Sequence, residues 1–519
     1  MNIPKRIDLT PKQMDELLKR FRKSLRKDDY EIIKGMADTI SFLSSAVDSK
    51  SASIQRLLKM LLGSTTEKTS KVLKEKQTRK PDKKKKHKGH GKNSASSYSG
   101  ADKIKIPHQS LKPKDRCPVC KKGKVYDTAS PALIVRISAK APLSAKVYEL
   151  QKLRCNLCGQ VFTAKAPEAL GDEKYDSTSG AMIALLKYGS GLPFNRLAQL
   201  QANLGIPLPS STQWEIVASV ADKIHPVYRE LIRKAAQGDI IHNDDTVMKI
   251  LDRMNLPDED KTERNGMFTS GFMSIADNIR IALFVTGHNH AGENMDDILA
   301  KRSAILGTPI QMCDGLSRNT PKDFKVISAN CLTHARRRFV DEKYSFPKEC
   351  EYVLKTLEKI YENDAYTKQK QMSPEQWLQY HQEKILPFME ELKAWLAAQL
   401  DDKKIEPNSG LGQAISYMLK HWKELTLFLR VPKAPLDNNI CEQALKKAIL
   451  HRKNSLFYKT EHGAYIGDLF MSLIHICNLC NANPFKYLKT LQQHSSSVIK
   501  NPEKWMPWNY EEMLRSAAE

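Results

Sequence analysis

Three acidic residues lie in local contexts that could hold catalytic metal ions. Asp244 in IIHNDDT and Asp314 in QMCDG end or interrupt apolar runs typical of β-strands, whereas Glu442 follows the helix-start signal DNN and leads a helical stretch. Carboxylates that converge from separate elements can hold two Mg²⁺ or Mn²⁺ ions, which activate a water or a hydroxyl and stabilise the leaving oxygen of a phosphodiester. The three acids therefore predict chemistry on nucleic acid.

The segments around these acids predict a defined order of elements. Strand-like IIHNDDTVMKIL, MFTSGFMSIAD and IRIALFVTG are followed by a helix from about 293 to 306, the strand PIQMCDG and a fifth strand, KVISAN, which runs into the helix CLTHARRRFVDEK. We interpret this as the strand-strand-strand-helix-strand-helix-strand order of the ribonuclease H-like fold. A single aspartate at a strand end is most often a turn residue, so the prediction depends on the three acids together.

The chain has 519 residues, too many for one core, and we predict a multidomain α/β protein. The ribonuclease H-like catalytic core is expected to comprise residues 238–343 and 431–474, with a helical insertion at 344–430. The other domains expected are N-terminal helices that self-associate or form a packed hairpin (1–62), a basic disordered linker (63–114), a zinc ribbon (115–168), a helical helix-turn-helix-like DNA-binding domain (169–237) and a C-terminal helical segment (475–519).

Four of the ten cysteines form two Cys-x-x-Cys pairs flanking β-like segments, namely Cys117, Cys120, Cys155 and Cys158. Two thiolate pairs on adjacent turns supply the four ligands of one structural Zn²⁺, the staple that small β-hairpins with little core need. Free cysteines or a redox pair are the competing interpretations. A third pair, Cys477 and Cys480, lies in an apolar helical stretch without a second pair nearby, and we interpret it as core.

The formal charge of +24 indicates a polyanionic partner, and a solvated basic surface is the alternative. The segments PFNRLAQLQANLG and SSTQWEIVASVADKI form a helix-turn-helix candidate that would place Arg196 and Gln213 on DNA, with a plain three-helix spacer as the alternative. Near the acids, the candidates to hold phosphates are Arg336, Arg337, Arg338, Lys446, Arg452 and Lys453, although solvated helix faces explain many such residues. His242 and His334 lie beside the acids and are interpreted as packed or hydrogen-bonded residues rather than ligands.

Specific motifs run along nearly the whole chain. They are HGKNSASSY, the CPVC and CNLCG pairs, KYDSTSGAMIALLKYGSGLPFNRLAQLQANLGIPLPSSTQWE, IIHNDDT, QMCDGLSRN, CLTHARRRF, PLDNNICEQALKKAILHRKNSLFYKTEHGA and the terminal MPWNYEEML. In these motifs the chain resembles the transposases of the insertion sequence 66 family. Where that family usually has Asp-Glu-Thr, this chain has Asp244, Asp245 and Thr246, and alternation along a strand lets only one of the two adjacent carboxylates point into the site.

The resemblance implies a DDE-type DNA transposase with Asp244, Asp314 and Glu442 as its acidic triad, holding two Mg²⁺ or Mn²⁺ ions. The implied reaction frees 3′ hydroxyls at the element ends and joins them to target DNA. The implied partners are double-stranded DNA, a second copy of the chain in a homo-oligomer and two small accessory proteins of the element. A catalytically silent DNA-binding regulator and a zinc-stapled scaffold remain the alternative functions.

The start of the chain lacks the apolar core of a signal peptide, and the sequence contains no run of about 18 apolar residues. We therefore expect a protein without a membrane partner that acts in the bacterial cytoplasm, at the nucleoid.

Overall fold

A computed structural model provides the structure of the protein. It describes residues 11–24, 26, 28–36, 69–73, 106–107, 109–126, 141–154, 161–165, 167, 173–254, 266–276 and 279–516. The chain divides into two compact units, residues 1–81 and 82–519, which are considered separately.

The described part of the first unit is helical. Helix α1 spans Pro11–Ser24, α2 covers residues 28–36, and α3 is a single turn, Thr69–Val72. Helix α3 lies in the stretch predicted to be disordered, and its Val72 is buried. The rest of the predicted N-terminal helical region, residues 37–62, lies outside the described residues.

The second unit begins with small elements. Strands β1 (Lys152–Arg154) and β2 (Val161–Thr163) pair antiparallel. Helix α4 (Ser177–Ala184) continues into a π-helical turn (Leu185–Gly189), and α5 (Phe194–Asn203) precedes the long helix α6 (Ser210–Ala235). Helix α6 extends well beyond the segment predicted for it, with Pro226 inside the helix.

The centre of the second unit is a mixed sheet of five strands. They are β3 (Ile240–Val247), β4 (Phe268–Ala276), β5 (Ile279–Gly287), β6 (Ile310–Cys313) and β7 (Ile327–Asn330). Their order across the sheet is β5-β4-β3-β6-β7. The β3–β4 and β4–β5 pairs are antiparallel, whereas β3–β6 and β6–β7 are parallel, so β3 is the central strand.

Where the structure describes them, the connections between the strands differ in part from the predicted order. Helix α7 (Leu251–Met254) follows β3, and α8 (Ala291–Leu299) follows β5 but is shorter than the helix predicted there. Between β6 and β7 the structure has a single 3₁₀ turn, Ser317–Asn319, instead of a helix. This turn lies against α8, and its Asn319 is fully buried.

The rest of the chain is helical. After β7 come α9 (Leu332–Glu342), α10 (Pro347–Gln369), α11 (Pro374–Lys384), α12 (Leu386–Asp401), α13 (Gly410–Lys420), α14 (Trp422–Leu425) and a 3₁₀ turn, Leu427–Leu429. Then follow α15 (Asn439–Ser455), α16 (Glu461–Leu479), α17 (Pro484–Gln493), α18 (Ser495–Lys500), a 3₁₀ turn (Pro502–Trp505) and α19 (Tyr510–Ser516). Among the described residues, no helix is long and apolar enough to cross a membrane.

Helix α16 packs against β5 and forms the centre of the core, because it is apolar on nearly every side. The few polar side chains that it buries bond to the strand. Ser472 Oγ accepts a hydrogen bond from the backbone N–H of Phe284, and the Asp468 carboxylate accepts from the backbone N–H and the hydroxyl of Thr286 at 2.7 Å each. Helix α16 runs across residue 474, where the core and the C-terminal segment were expected to divide.

Candidate active site

Two of the three acids lie at one edge of the sheet. Asp244 lies within β3, three residues before the strand ends at Val247, and Asp314 directly follows β6. The last residues paired between these parallel neighbours are His242 and Met312, and each aspartate stands two positions further along its strand. Because residues two apart on a strand share a face and parallel strands end at the same edge, the two carboxylates project from the same place.

Helix α15 brings the third acid to this edge. Glu442 lies in its first turn, and the helix packs on β4 at Gly271, the residue that pairs with Asp244. The Cys441 thiol donates to the carbonyl oxygen of Gly271 at 3.3 Å. A Cβ atom at Gly271 would lie 2.7 Å from Cγ of Leu445, so the missing side chain lets the helix approach the strand.

Asn438, immediately before α15, anchors that helix to the central strand. It is fully buried; its Nδ2 donates to the carbonyl oxygen of Asn243 at 3.0 Å, and its Oδ1 lies 3.1 Å from Nδ1 of His242. Its backbone N–H donates to the Cys331 thiol sulfur at 3.2 Å. Burial lowers the pKa of His242 to about 4, so this ring is neutral at physiological pH and donates through Nδ1 to the amide oxygen. These bonds fix the start of α15, and with it Glu442.

The three acids share one electrostatic environment. Burial, the negative charge of Asp314 and, to a smaller extent, the charges of Asp245 and Glu442 together raise the pKa of Asp244 to about 7, against a hydrogen bond from the Asp245 N–H that lowers it. Asp314 Oδ1 accepts from the side-chain amide of Asn319 at 2.8 Å and from the backbone N–H of Leu316 at 3.0 Å. A site with this much negative charge in a partly buried place attracts a counter-cation.

The donor set fits hard divalent cations. All three acids offer carboxylate oxygens, the ligands that Mg²⁺ and Mn²⁺ prefer. Oε1 of Glu442 is buried and has no hydrogen-bond partner within the described part of the chain, which leaves it available to a cation. The residues that would hold such ions are Asp244, Asp314 and Glu442.

Asp245 belongs to a different set of contacts. One of its oxygens lies 2.8 Å from Nδ1 of His290, and the other lies 3.3 Å from a guanidinium nitrogen of Arg318. Its side chain is only 2% exposed. Alternation along β3 thus separates the two adjacent aspartates, and Asp245 links the strand to the start of α8 and to the 3₁₀ turn.

Three basic residues were predicted on the helix after β7, and the structure separates them. Arg336 is 6% exposed on α9, which packs against the insertion, and a contact of this residue with DNA stays a prediction. Arg337 is half-buried, whereas Arg338 is exposed and its guanidinium lies 3.9 Å from the ring centre of Tyr417.

The basic residues beyond Glu442 lie along α15. Lys446 and Lys453 are exposed. Arg452 is half-buried and donates to the Thr246 hydroxyl at 3.0 Å and to the carbonyl oxygen of Val247, so it fastens the helix to the end of β3.

Gln213, one of the two residues that the helix-turn-helix prediction places on DNA, lies inside the protein. Gln213 is fully buried, and its side-chain amide donates to the carbonyl oxygens of Phe194 and Leu208 at 3.1 Å and 2.9 Å. It therefore holds the turn between α5 and α6 and is not presented to DNA. Arg196 is exposed on α5.

The first cysteine pair forms a turn suited to a metal ligand. The backbone N–H of Cys117 bonds to the carbonyl oxygen of Gly123 at 2.8 Å, and the N–H of Gly123 points at Cys120 Sγ at 3.4 Å. N–H groups of Gly123 and Lys122, together with the Cys117 side chain, lower the pKa of the Cys120 thiol. Cys155 and Cys158, between β1 and β2 in the sequence, lie outside the described residues. Cys477 is buried in α16 and Cys480 is half-buried just after it.

Several residues of the site were not predicted. Asn438 belongs to the DNN sequence that was interpreted only as a helix start, although a polar residue one turn before a candidate catalytic acid is a signal that could have been used. Tyr417 of α13 donates its hydroxyl to the carbonyl oxygen of Asp314 at 3.0 Å. Nothing in the local sequence of the insertion indicates that contact, because it depends on how α13 packs.

Comparisons with known proteins match a region of the chain that includes the candidate site. The family model described as "Transposase IS66 family" matches residues 174–466, a span that contains all three acids. The chain is 26% identical over 418 residues to the uncharacterized protein y4jD of Sinorhizobium fredii, covering 77% of this chain and 79% of that protein. The uncharacterized protein y4hP of the same organism is 24% identical over 386 residues, covering 71% of this chain and 69% of the relative. Because the family model spans more than half of the chain, the protein belongs to the IS66 family of transposases.

Proposed function

We propose that the protein is a DNA transposase that cleaves the ends of its insertion sequence and joins the 3′ hydroxyls to target DNA by two-metal phosphodiester chemistry. The observation that carries this proposal is the convergence of Asp244, Asp314 and Glu442 from two strands and a helix onto one edge of the sheet. Membership of the IS66 family supplies the class of reaction.

The sheet supports a ribonuclease H-like identity for the catalytic core. Three antiparallel strands are followed by two parallel ones, and the first strand is central in the order β5-β4-β3-β6-β7. The first acid lies on that central strand and the second follows the parallel neighbour. A long helical insertion between α9 and α15 precedes the helix of the third acid. This is the arrangement that the fold needs to place three carboxylates together.

The chain's residues have distinct tasks in the proposed reaction. Asp244 lies within electrostatic range of both Asp314 and Glu442, so it is the carboxylate placed to be shared by two cations. Bound Mg²⁺ or Mn²⁺ would activate the attacking water or 3′ hydroxyl and stabilise the leaving oxygen. Asn438 and Gly271 keep Glu442 against β3, and the Tyr417 hydroxyl holds the backbone at Asp314.

DNA would reach the site along exposed basic side chains. Lys446 and Lys453 on α15, with Arg338 on α9, are exposed around the acids and are candidates to contact phosphates without reading bases. Arg196 on α5 is a candidate in the preceding helical region. The turn at Cys117 and Cys120 supports the proposal of a ribbon around one structural Zn²⁺.

The test is strand cleavage by the purified full-length chain on a duplex that carries the ends of its own element. We expect nicks at the element ends in Mg²⁺ or Mn²⁺, none after chelation with EDTA, and joined products when target DNA is supplied. Binding of the ends without any cleavage in either metal, with or without the accessory proteins of the element, would favour a catalytically silent regulator instead.

A further inference from the structure

His334 and Glu442 face each other without a hydrogen bond. Nδ1 of His334 lies 3.8 Å from Oε1 of Glu442, which is too long for a hydrogen bond. Both atoms are buried, and neither has another hydrogen-bond partner among the residues that the structure describes. Two buried polar atoms left without partners cost stability, and such pairs in native proteins usually have an unseen ligand or a functional role.

The separation of the two atoms is one that ligands of a single ion adopt. Two ligand atoms about 2.1 Å from a metal ion lie roughly 3.0 Å apart at right angles and roughly 4.2 Å apart when opposite each other. The observed 3.8 Å falls between these limits. An ion between the two atoms would satisfy both.

The pair lies at the starts of two helices. His334 lies in the first turn of α9, directly after β7, and Glu442 lies in the first turn of α15. The Cys331 sulfur is within 4.8 Å of both ligand atoms, but it already accepts the backbone N–H of Asn438. Among the described residues the sulfur thus has a hydrogen-bond partner, whereas Nδ1 of His334 and Oε1 of Glu442 have none.

We propose that His334 is a nitrogen ligand of the cation held by Glu442, an inference that depends on the proposed two-metal function. A mixed nitrogen and oxygen donor set favours Mn²⁺ over Mg²⁺, since imidazole prefers the softer ion. His334 then sets the metal preference of one of the two positions, while Asp244 and Asp314 supply oxygen ligands alone.

The test is the electron spin echo spectrum of Mn²⁺ bound to the full-length chain. We expect modulation from a directly bound ¹⁴N nucleus in the parent protein and its loss in His334→Ala, with Mn²⁺ bound at least about tenfold more weakly. His334→Gln, which keeps an oxygen donor of similar size, should retain Mn²⁺ and lack the nitrogen signal. His462→Ala is the matched control, because His462 is exposed and stacks edge-on against Trp214; its spectrum should equal that of the parent.

The outcomes separate this inference from the proposed function. Suppose that Glu442→Gln loses Mn²⁺, but the spectrum of the parent lacks nitrogen modulation or the spectrum of His334→Ala still shows it. Either result would overturn the role of His334 alone. Mn²⁺ binding that is absent from the parent, or unchanged in both Asp244→Asn and Glu442→Gln, would overturn the metal site itself and this inference with it.

Discussion

At the scale of single residues, the site depends on groups that carry no reactive chemistry. Gly271 leaves room for α15, and Asn438 ties the start of that helix to β3. The neutral His242 donates a hydrogen bond to the side chain of Asn438. Asp244 gains its raised pKa from burial and from the acids beside it. The position of Glu442 is therefore set by contacts of its neighbours, and small changes there should affect chemistry.

Gly271→Ala should move α15 away from β4. The added Cβ would meet Leu445 at 2.7 Å, and overpacking of this kind costs about 1–3 kcal/mol in unfolding free energy. Cleavage of duplexes that carry the element ends should fall as the free energy of unfolding falls. The double variant Gly271→Ala with Leu445→Ala should recover part of the stability and part of the cleavage activity. Gly287→Ala is the control, since a Cβ there meets nothing within 4 Å. Equal melting temperature and cleavage in Gly271→Ala and Gly287→Ala would contradict the close approach.

Asp468 should make stability depend on pH. Burial raises its pKa from 3.8 to about 7, so the folded state holds a proton that the unfolded state has released. The free energy of unfolding should therefore fall as pH rises from about 4 to about 7, by about 2–4 kcal/mol from this residue. Asp468→Asn can still bond Thr286, with the hydroxyl accepting, and should be more stable than the parent at pH 8 and equal to it near pH 4. Melting curves at both pH values check this; a constant difference would refute it.

At the scale of elements, the strands followed from the sequence because alternation and apolar runs are local properties. Strand β6 ends at Cys313, directly before Asp314, whereas β3 continues three residues past Asp244 to Val247. The orientation of helix faces did not follow, because it depends on partners distant in the chain. Gln213 looked exposed at a helix start but bonds across the α5–α6 turn, and Arg336 is buried against the insertion. The 3₁₀ turn between β6 and β7 likewise has no strong local signal.

The proposed zinc ribbon is an element whose folding would depend on a bound metal ion. One Zn²⁺ per chain should be found by metal analysis, and Cys155→Ser should abolish it, because four thiolates are needed for a closed tetrahedral site. The double variant Cys477→Ser with Cys480→Ser should keep its zinc, since Cys477 is buried in α16 as core. A zinc content near zero in the parent, or unchanged in Cys155→Ser, would remove the ribbon.

At the scale of the whole molecule, the helical insertion contacts the candidate site and the net charge is strongly positive. Helix α13 of the insertion touches the site through Tyr417, whose hydroxyl bonds to the backbone of Asp314 and whose ring lies under Arg338. The family match at 174–466 includes that insertion along with the sheet and the helix of Glu442. The formal charge of +24, concentrated in part before residue 93, suits a long polyanion.

Deletion of residues 74–92, which leaves α3 intact, should weaken binding to every DNA alike. The lysines of this stretch release counterions from phosphates without reading bases, so the slope of log K against log salt should become shallower. The preference for element ends over random duplex should survive. Titrations at several salt concentrations with both duplexes measure this, and collapse of the preference would show that the stretch recognises sequence.

The most direct test of the account is cleavage by amide variants of the three acids. Asp244→Asn, Asp314→Asn and Glu442→Gln keep size but remove the charge that offsets a divalent cation. Asp245→Asn is the control, because that carboxylate contacts His290 and Arg318 instead of the site.

In Mg²⁺, each triad variant should bind element ends as the parent does yet neither nick nor join them, whereas Asp245→Asn should retain most of the activity. Triad variants that cut as well as the parent, or an inactive Asp245→Asn beside an active Asp244→Asn, would contradict the assignment of the site.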